Sequence, residues 1–482
     1  MEIAQIAVLV VISLVNALLP SQWRKWVLFV ISLIIIYWLQ PSLSIRWLDY
    51  TLPSIIIGIS VITWWVVASR EKKISPITAL SREDSTSLVI ILAIILLLTI
   101  PRYFDFPIAL TSRPPEIWQV ITIIIALIII LPLGSYLISF RWTAILLLLI
   151  ILAFLIIIKS EVLSIHLSVF LRQQTGQDTG IASVIDIQWL GFSYVAFRLI
   201  HTIRDWQTGI LPDLSLREFI TYVIFFPAFT AGPIDRVERF LNDFRAIEKY
   251  NPFEANRFTE AAARICIGLF KKFFIADSLA IISLSHTSID QALSAPALWL
   301  MLYAYALRLF FDFSGYTDIA IGIGILWGIQ LPENFNRPYL KNTITTFWQS
   351  WHMTLSSWVR TYVYSPLSRQ LLRSRYKNHV NIILLISTLA TMLTIGIWHG
   401  ITLPFIVWGL WHGIGLFIHK VWSDHTRAWL RRLRQHPGRD AAWRWTGVIL
   451  TFHFVVLGWV WFVSSDLSSA FRLFLALFGV AP

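Results

Sequence analysis

Long apolar runs separated by short connectors make up the first third of the chain. They occupy residues 3–19, 26–39, 55–68, 87–100, 120–138 and 142–158. Crossing roughly 30 Å of hydrocarbon takes about 20 helical residues, so each run predicts a membrane span, and interfacial tryptophans extend the shorter ones. The first run has neither a basic segment before it nor a small-residue cleavage site. We therefore expect it to be retained as a span and not removed as a signal peptide.

After residue 160 the apolar segments alternate with polar stretches rich in Pro, Asn, Trp, Arg and His. These segments lie near 187–200, 218–231, 261–275, 296–313, 319–329, 380–398, 402–419 and 445–463. The pattern predicts an all-α, polytopic transmembrane protein with about 11 spans and additional interfacial or re-entrant helices. We expect residues 1–160 to form N-terminal transmembrane helices and 161–482 the catalytic core, together in one integral membrane domain.

Composition excludes a water-soluble enzyme. Of the 482 residues, 57% are apolar and 14% are charged, whereas a soluble domain carries about 25% charged residues. We therefore expect a multi-pass protein of the cell (plasma or inner) membrane. The single cysteine, Cys266, excludes an intrachain disulfide and a cysteine-based metal site.

The net charge of +12 comes largely from basic connectors. Residues 369–377 and 420–444 are rich in Arg and Lys. Lys and Arg are enriched in the cytoplasmic loops of membrane proteins, so we expect both stretches on the cytoplasmic side. This placement accounts for the net charge without nucleic-acid binding. The segment between them then predicts a helical hairpin that turns near residues 400–404.

The first histidine candidate is His399, in the string Gly-Ile-Trp-His-Gly that closes the apolar run 380–395. An ionisable group within a span indicates function by default. An apolar setting disfavours the charged imidazole, which suits a general base near pH 7. The alternative is a structural histidine bonded to a carbonyl.

The second candidate is His352, in residues 343–362, which read TITTFWQSWHMTLSSWVRTY. Apolar residues including Trp351 recur at helical spacing, and Ser356 lies on the opposite, polar face. The pattern predicts one amphipathic helix in an interfacial or re-entrant position. His352 lies at the edge of the apolar face, and the alternative is that it only bonds a neighbour.

The proline-bounded stretch 332–338 cannot form regular helix. Its Asn334, Asn336 and Arg337 need water or protein partners at membrane depth, so we expect a structured loop at a cavity. Just before it, Asp312 and Ser314 are expected to cap or polarise helix ends. The chain lacks the P-loop and H-E-x-x-H motifs, which disfavours ATP-driven transport and zinc proteolysis.

Several strings in chain order resemble the membrane-bound O-acyltransferase (MBOAT) family. They are FFDFSGYTDIAIGIGILWGIQLPENFNRPY, TTFWQSWHMTLSSWVRTYVYSPL, GIWHG and FIVWGLWHG, with FFPAFTAGPIDRVERF and GLFKKFFIADSLA before them. The similar branch contains the proteins of alginate O-acetylation and of D-alanyl transfer to teichoic acid. The resemblance covers about residues 191–479.

The resemblance implies roles for particular residues. The family's catalytic histidine matches His399, and its second polar position matches His352, which would orient a substrate or stabilise the oxyanion. Members move an acyl group from a thioester to a hydroxyl, usually through a tunnel across the membrane. Further substrate-binding or cavity-lining candidates are Asn334, Asn336, Arg337, Trp351, Ser356 and Trp398.

The resemblance also implies the reaction partners and leaves the substrate open. The donor would be acetyl-CoA or an acyl carrier protein, with no bound cofactor or metal. A periplasmic or extracellular acyl-transfer partner and a polysaccharide acceptor are expected beside the bilayer.

The string 311–322 favours O-acetylation of an exported or surface polysaccharide, whereas 232–236 favours D-alanyl transfer to a cell-wall polymer. Thr361 departs from the family's Asp. A membrane transporter is the alternative from another class.

Overall fold

The computed structural model describes residues 2–68, 80–104, 110–111, 114–126, 140–285 and 294–480. Within these ranges the chain forms helices joined by turns and no β-strand, so the all-α prediction is confirmed. Packing divides the chain into two compact units. The first comprises Met1–Ile265 with Ala320–Leu331, and the second Cys266–Ile319 with Pro332–Pro482. The expected functional division at residue 160 stays a prediction.

Within the described residues, eleven α-helices precede the segment that carries the site motifs. They are α1 Ile3–Leu18, α2 Ser21–Leu39, α3 Leu48–Ala68, α4 Arg82–Leu97, α5 Ile117–Ala126, α6 Phe140–Lys159, α7 Glu161–Gln174, α8 Phe192–Thr208, α9 Leu216–Val223, α10 Val237–Ala246 and α11 Ala255–Leu269. The predicted run 120–138 enters α5, but residues 127–139 lie outside the described part of the chain.

The later helices carry the candidate residues. They are α12 Asp277–Ile282, α13 Ala295–Leu326, α14 Ile344–Trp348, α15 Met353–Val359, α16 Ser365–Leu372, α17 Val380–His399, α18 Leu403–His425, α19 Arg427–Leu433, α20 Pro437–Val463 and α21 Leu467–Leu477. Two π-helical turns, Phe270–Ala276 and Arg360–Tyr364, follow α11 and α15.

Seven helices in the described residues are long and apolar enough to cross a membrane. They are Ser21–Leu39, Leu48–Ala68, Arg82–Arg102, Trp142–Lys159, Ala295–Leu326, Val380–His399 and Pro437–Val463. A polytopic membrane protein is thereby confirmed, and the count of about 11 spans stays a prediction.

The apolar segment 296–313 and most of 319–329 lie in one helix, α13. Two predictions about local structure were wrong. The basic stretch 420–444 is helical through most of its length, not an open loop. The predicted single helix 343–362 is interrupted between α14 and α15. The predicted hairpin turning near 400–404 is confirmed by α17 and α18.

Asp312 and Ser314 also differ from expectation, because both lie inside α13 and cap nothing. The Asp312 carboxylate accepts from Lys272 Nζ at 2.5 Å, and Asp318 accepts from Lys271 Nζ at 2.6 Å. Both lysines belong to the π-helical turn Phe270–Ala276. Ion pairs therefore compensate the acidic charges within this long apolar helix.

Glycines allow α17 and α18 to pack closely. A Cβ atom on Gly409 would lie 2.8 Å from the carbonyl oxygen of Met392, and one on Gly413 would lie 2.9 Å from the Leu389 side chain. Small residues at such crossings bring helix backbones together in lipid. Close backbone contact therefore joins the two helices of the hairpin whose first helix, α17, ends at His399.

Candidate active site

His399 lies among aromatic rings at the turn of the α17–α18 hairpin. Its ring centroid is 4.6 Å from that of Trp398, 4.8 Å from Phe462 and 5.6 Å from Trp408. The imidazole is half-buried. It is thus held in an apolar surround while part of its surface remains accessible, which a group that meets a substrate requires.

His352 is held in an unusual backbone conformation directly before α15. Its φ is 42°, in the left-handed region, and its Nδ1 accepts the backbone N–H of Leu355 at 3.4 Å. Burial lowers the pKa of His352 to about 3, so the ring is neutral at pH 7. Since Nδ1 accepts, the proton of the neutral ring is assigned to Nε2.

The Nε2–H group of His352 is a buried donor that makes no hydrogen bond within the described residues. The residue is only 4% exposed. A buried donor left unpaired costs about 1–3 kcal/mol, a penalty that a hydrogen-bond acceptor on a bound substrate would remove. The arrangement suits a group that stabilises negative charge on a reacting oxygen.

Trp398 joins the two histidines into one site. Its ring lies edge-to-face with His352 at 6.1 Å and with His399 at 4.6 Å. The two histidines lie 47 positions apart in the chain, yet both contact the same indole. The structure therefore brings together the two residues that the sequence singled out.

An aromatic wall continues from His399 to Trp351. The Trp408 ring lies 6.1 Å from Trp459, whose ring lies 5.4 Å from Trp351. Sequence reasoning missed Trp408 and Phe462 as site residues. The FIVWGLWHG motif contains Trp408 and was one available signal, but Phe462 reaches His399 from α20, which no local pattern indicates.

His412 extends the same cluster. It is fully buried, its ring lies 4.9 Å from Trp408, and its Nδ1 accepts the indole N–H of Trp348 at 3.4 Å. His412 thus contacts an indole that itself contacts His399. The structure places it behind the aromatic wall, where it supports Trp408 and Trp348.

The remaining predicted site residues divide by exposure. Asn336 and Arg337 are exposed, and Arg337 has a φ of 47°. Ser356 is half-buried and donates to the Trp351 carbonyl at 3.2 Å. Asn334 is fully buried and bonded within the protein. Residues 332–338 are irregular as predicted, and their contact with substrate stays a prediction.

No group of three or more His, Cys, Asp or Glu side chains is placed to hold a metal ion in the described ranges. The rings packed against the two histidines include those of Trp398, Phe462 and Phe313.

A family description, "MBOAT, membrane-bound O-acyltransferase family", matches residues 138–461. The chain belongs to this family. The matched range includes His352, His399 and the aromatic wall between them. The expected family and its enzyme class, O-acyltransferase, are confirmed, and the apolar helices make the chain a multi-pass membrane protein.

The similar proteins are named after three different polymers: teichoic acid, alginate and peptidoglycan. A "Teichoic acid D-alanyltransferase" of Streptococcus thermophilus is 33% identical over 289 residues, which cover 57% of this chain and 68% of that protein. A "Probable alginate O-acetylase AlgI" of Azotobacter vinelandii is 36% identical, covering 60% of this chain and 53% of its own length. A "Peptidoglycan O-acetyltransferase" of Helicobacter pylori is 35% identical, with 55% and 48% covered. The chain therefore matches about half the length of the latter two.

Proposed function

We propose that this protein transfers an acetyl group from a thioester donor to hydroxyls of an exported or cell-surface polysaccharide. The donor is acetyl-CoA or an acyl carrier protein, and the site of action is the plasma or inner membrane. One observation carries the proposal: two imidazoles meet at Trp398, and one of them presents a buried N–H with no partner in the described residues.

The chemistry assigns a separate task to each histidine. His399 accepts the proton of the acceptor hydroxyl while the hydroxyl oxygen attacks the thioester carbonyl carbon. Such general-base catalysis is worth ~10²–10⁴-fold in rate. The Nε2–H of His352 donates to the oxyanion that forms, and loss of one such donor costs ~10²–10³-fold. The C–S bond then breaks, and the thiolate takes the proton from protonated His399. The thioester is already activated, so the route needs no acyl-enzyme.

A D-alanyl transferase is the second candidate. It is favoured by the extent of the match to the teichoic acid D-alanyltransferase, 68% of that protein's length. In that case a carrier protein delivers the amino acid, and the same two histidines act on its thioester. A periplasmic or extracellular partner would receive the group or present the polymer in either case.

The deciding experiment compares surface polymers from cells with and without this gene. Mild alkaline hydrolysis releases ester-bound groups, and mass analysis identifies them as acetate or D-alanine. We expect acetate to be lost with the gene and restored by the wild-type chain. Loss of D-alanine instead supports the second candidate. Unchanged ester of both kinds refutes transfer to surface polymers.

A further inference from the structure

The backbone at His352 is held against its local preference. Its φ of 42° and ψ of 56° place a non-glycine residue in the left-handed region. Such conformations persist only where surrounding contacts impose them. The apolar pattern of 343–362 favours one continuous helix, so the competing state is a right-handed turn at His352 that joins α14 to α15.

Main-chain hydrogen bonds from the irregular stretch 332–338 hold both sides of this turn. Before His352, the carbonyl of Ser350 accepts the N–H of Asn336 at 3.0 Å. After it, the N–H of Met353 donates to the carbonyl of Asn334 at 2.9 Å. The Ser350 carbonyl and the Met353 N–H therefore bond to 332–338.

The side chain of Asn334 adds a second connection. Its Oδ1 accepts the hydroxyl of Thr354 at 2.6 Å, in the first turn of α15. Its Nδ2 donates to Thr317 Oγ1 in α13 at 3.4 Å. Thr317 lies one turn after Phe313, whose ring packs 4.7 Å from the His352 imidazole. One carboxamide thus ties α15 to the helix that supports the histidine ring.

We propose that Asn334 is a positioning residue that keeps His352 in its left-handed turn and thereby points the Nε2–H group into the reaction site. The proposal rests on the oxyanion role assigned to His352 under the proposed function. Asn334 acts through His352 and not on substrate, because it is 0% exposed and both polar atoms of its side chain are bonded within the protein.

Replacement of the carboxamide loosens the turn. In Asn334→Ala the side-chain bonds to Thr354 and Thr317 are lost while the two main-chain bonds remain. The helical preference of the segment then competes better with the left-handed turn and shifts the imidazole away from Trp398. A misplacement of about 1 Å can cost ~10²-fold in rate, so we expect a loss of that order.

The experiment uses the full chain expressed in cells that lack the gene, with the initial rate of ester formation on the surface polymer as the first readout. Thr354→Val removes the hydroxyl that bonds Asn334 and should lower the rate, whereas Thr354→Ser restores it. The matched control is Ser357→Ala, which removes an exposed hydroxyl from the same helix. If Asn334→Ala does not accumulate, the Thr354 pair decides the question.

A second readout is independent of activity. Diethyl pyrocarbonate modifies accessible neutral imidazoles, and peptide mass analysis of purified protein reports the modified fraction of His352. The buried ring should be protected in wild type and in Ser357→Ala, and modified in Asn334→Ala. Protection that persists in Asn334→Ala, together with an unchanged rate, overturns the proposal.

A double-mutant cycle separates this proposal from the proposed function. If Asn334 acts through His352, Asn334→Ala adds no further loss in a His352→Ala background. Additive losses overturn the positioning role. A His352→Ala chain with a wild-type rate instead refutes the oxyanion role, whatever the Asn334 variants show.

Discussion

Replacing His399 by Gln tests the general-base assignment directly. Glutamine approximates the size of the imidazole and can still donate and accept hydrogen bonds, but it takes up no proton near pH 7. Losing a general base costs ~10²–10⁴-fold, or about 3–5 kcal/mol in the activation barrier. The ring contacts with Trp398 and Phe462 are worth about 0.5–1.5 kcal/mol each, so the effect on stability is smaller than the effect on catalysis.

The assay measures ester content of the surface polymer per unit of protein in the membrane fraction, within the linear period after induction. His379→Gln is the matched control, because His379 is exposed and directly precedes the same helix, α17, at its other end. We expect His399→Gln to lose at least about 99% of the transfer and His379→Gln to retain it. A His399→Gln chain that keeps near-normal ester refutes the base role. If the His399→Gln protein is absent from the membrane fraction while the His379→Gln protein is present at the normal level, His399 is a structural residue.

Three further predictions concern the surrounding structure. The pKa of His352 is near 3 in the folded protein, below its usual value of 6.5, so between these pH values the unfolded chain binds one proton more than the folded chain. The contribution of neutral His352 to the free energy of unfolding is therefore complete above about pH 6.5 and decreases as the pH falls. Thermal unfolding of purified wild type and His352→Gln at pH 7.5 and pH 5 should show a smaller decrease in the variant. Arg337→Ala should lower ester formation, and an unchanged rate with unchanged protein level makes 332–338 an ordinary solvent loop. In a chain without Cys266, Arg434→Cys should react with an impermeant thiol reagent only from the cytoplasmic side, and labelling of intact cells contradicts this topology.

The position of His399 could be predicted because its causes are local. The apolar run 380–395 specifies a helix, and Gly400 directly follows its last residue at the turn into α18. The hairpin therefore follows from residues that are close in sequence. The aromatic surround could be predicted only in part, since Trp398 neighbours His399 in the chain but Phe462 belongs to α20.

The break at His352 could not be predicted from its own segment. Phe347 and Leu355 are each only 1% exposed, so the predicted apolar face is buried on both sides of the break. The helical period was thus right for α14 and for α15 separately. Hydrogen bonds from residues 332–338 interrupt the helix between α14 and α15. The apolar period of a segment carries no information about partners elsewhere in the chain.

The prediction that Asp312 and Ser314 cap or polarise helix ends was wrong for a similar reason. Helix capping is the usual local explanation for a carboxylate between two apolar segments. Here the partners of Asp312 and Asp318 are lysines 40 and 47 positions earlier in the chain. Once those ammonium groups compensate the charge, the two apolar segments can continue as one helix.

The two histidines therefore depend on different parts of the chain for their position. His399 belongs to a hairpin whose close glycine contacts fix it, whereas His352 depends on a segment that reaches it from 332–338 and on one buried carboxamide. A base must meet an acceptor hydroxyl as it arrives, which fits a half-buried ring at a turn. An oxyanion donor acts best when it is desolvated and already oriented before reaction. Burial and the hydrogen bonds around a left-handed turn supply both conditions at His352, at the expense of local backbone preference.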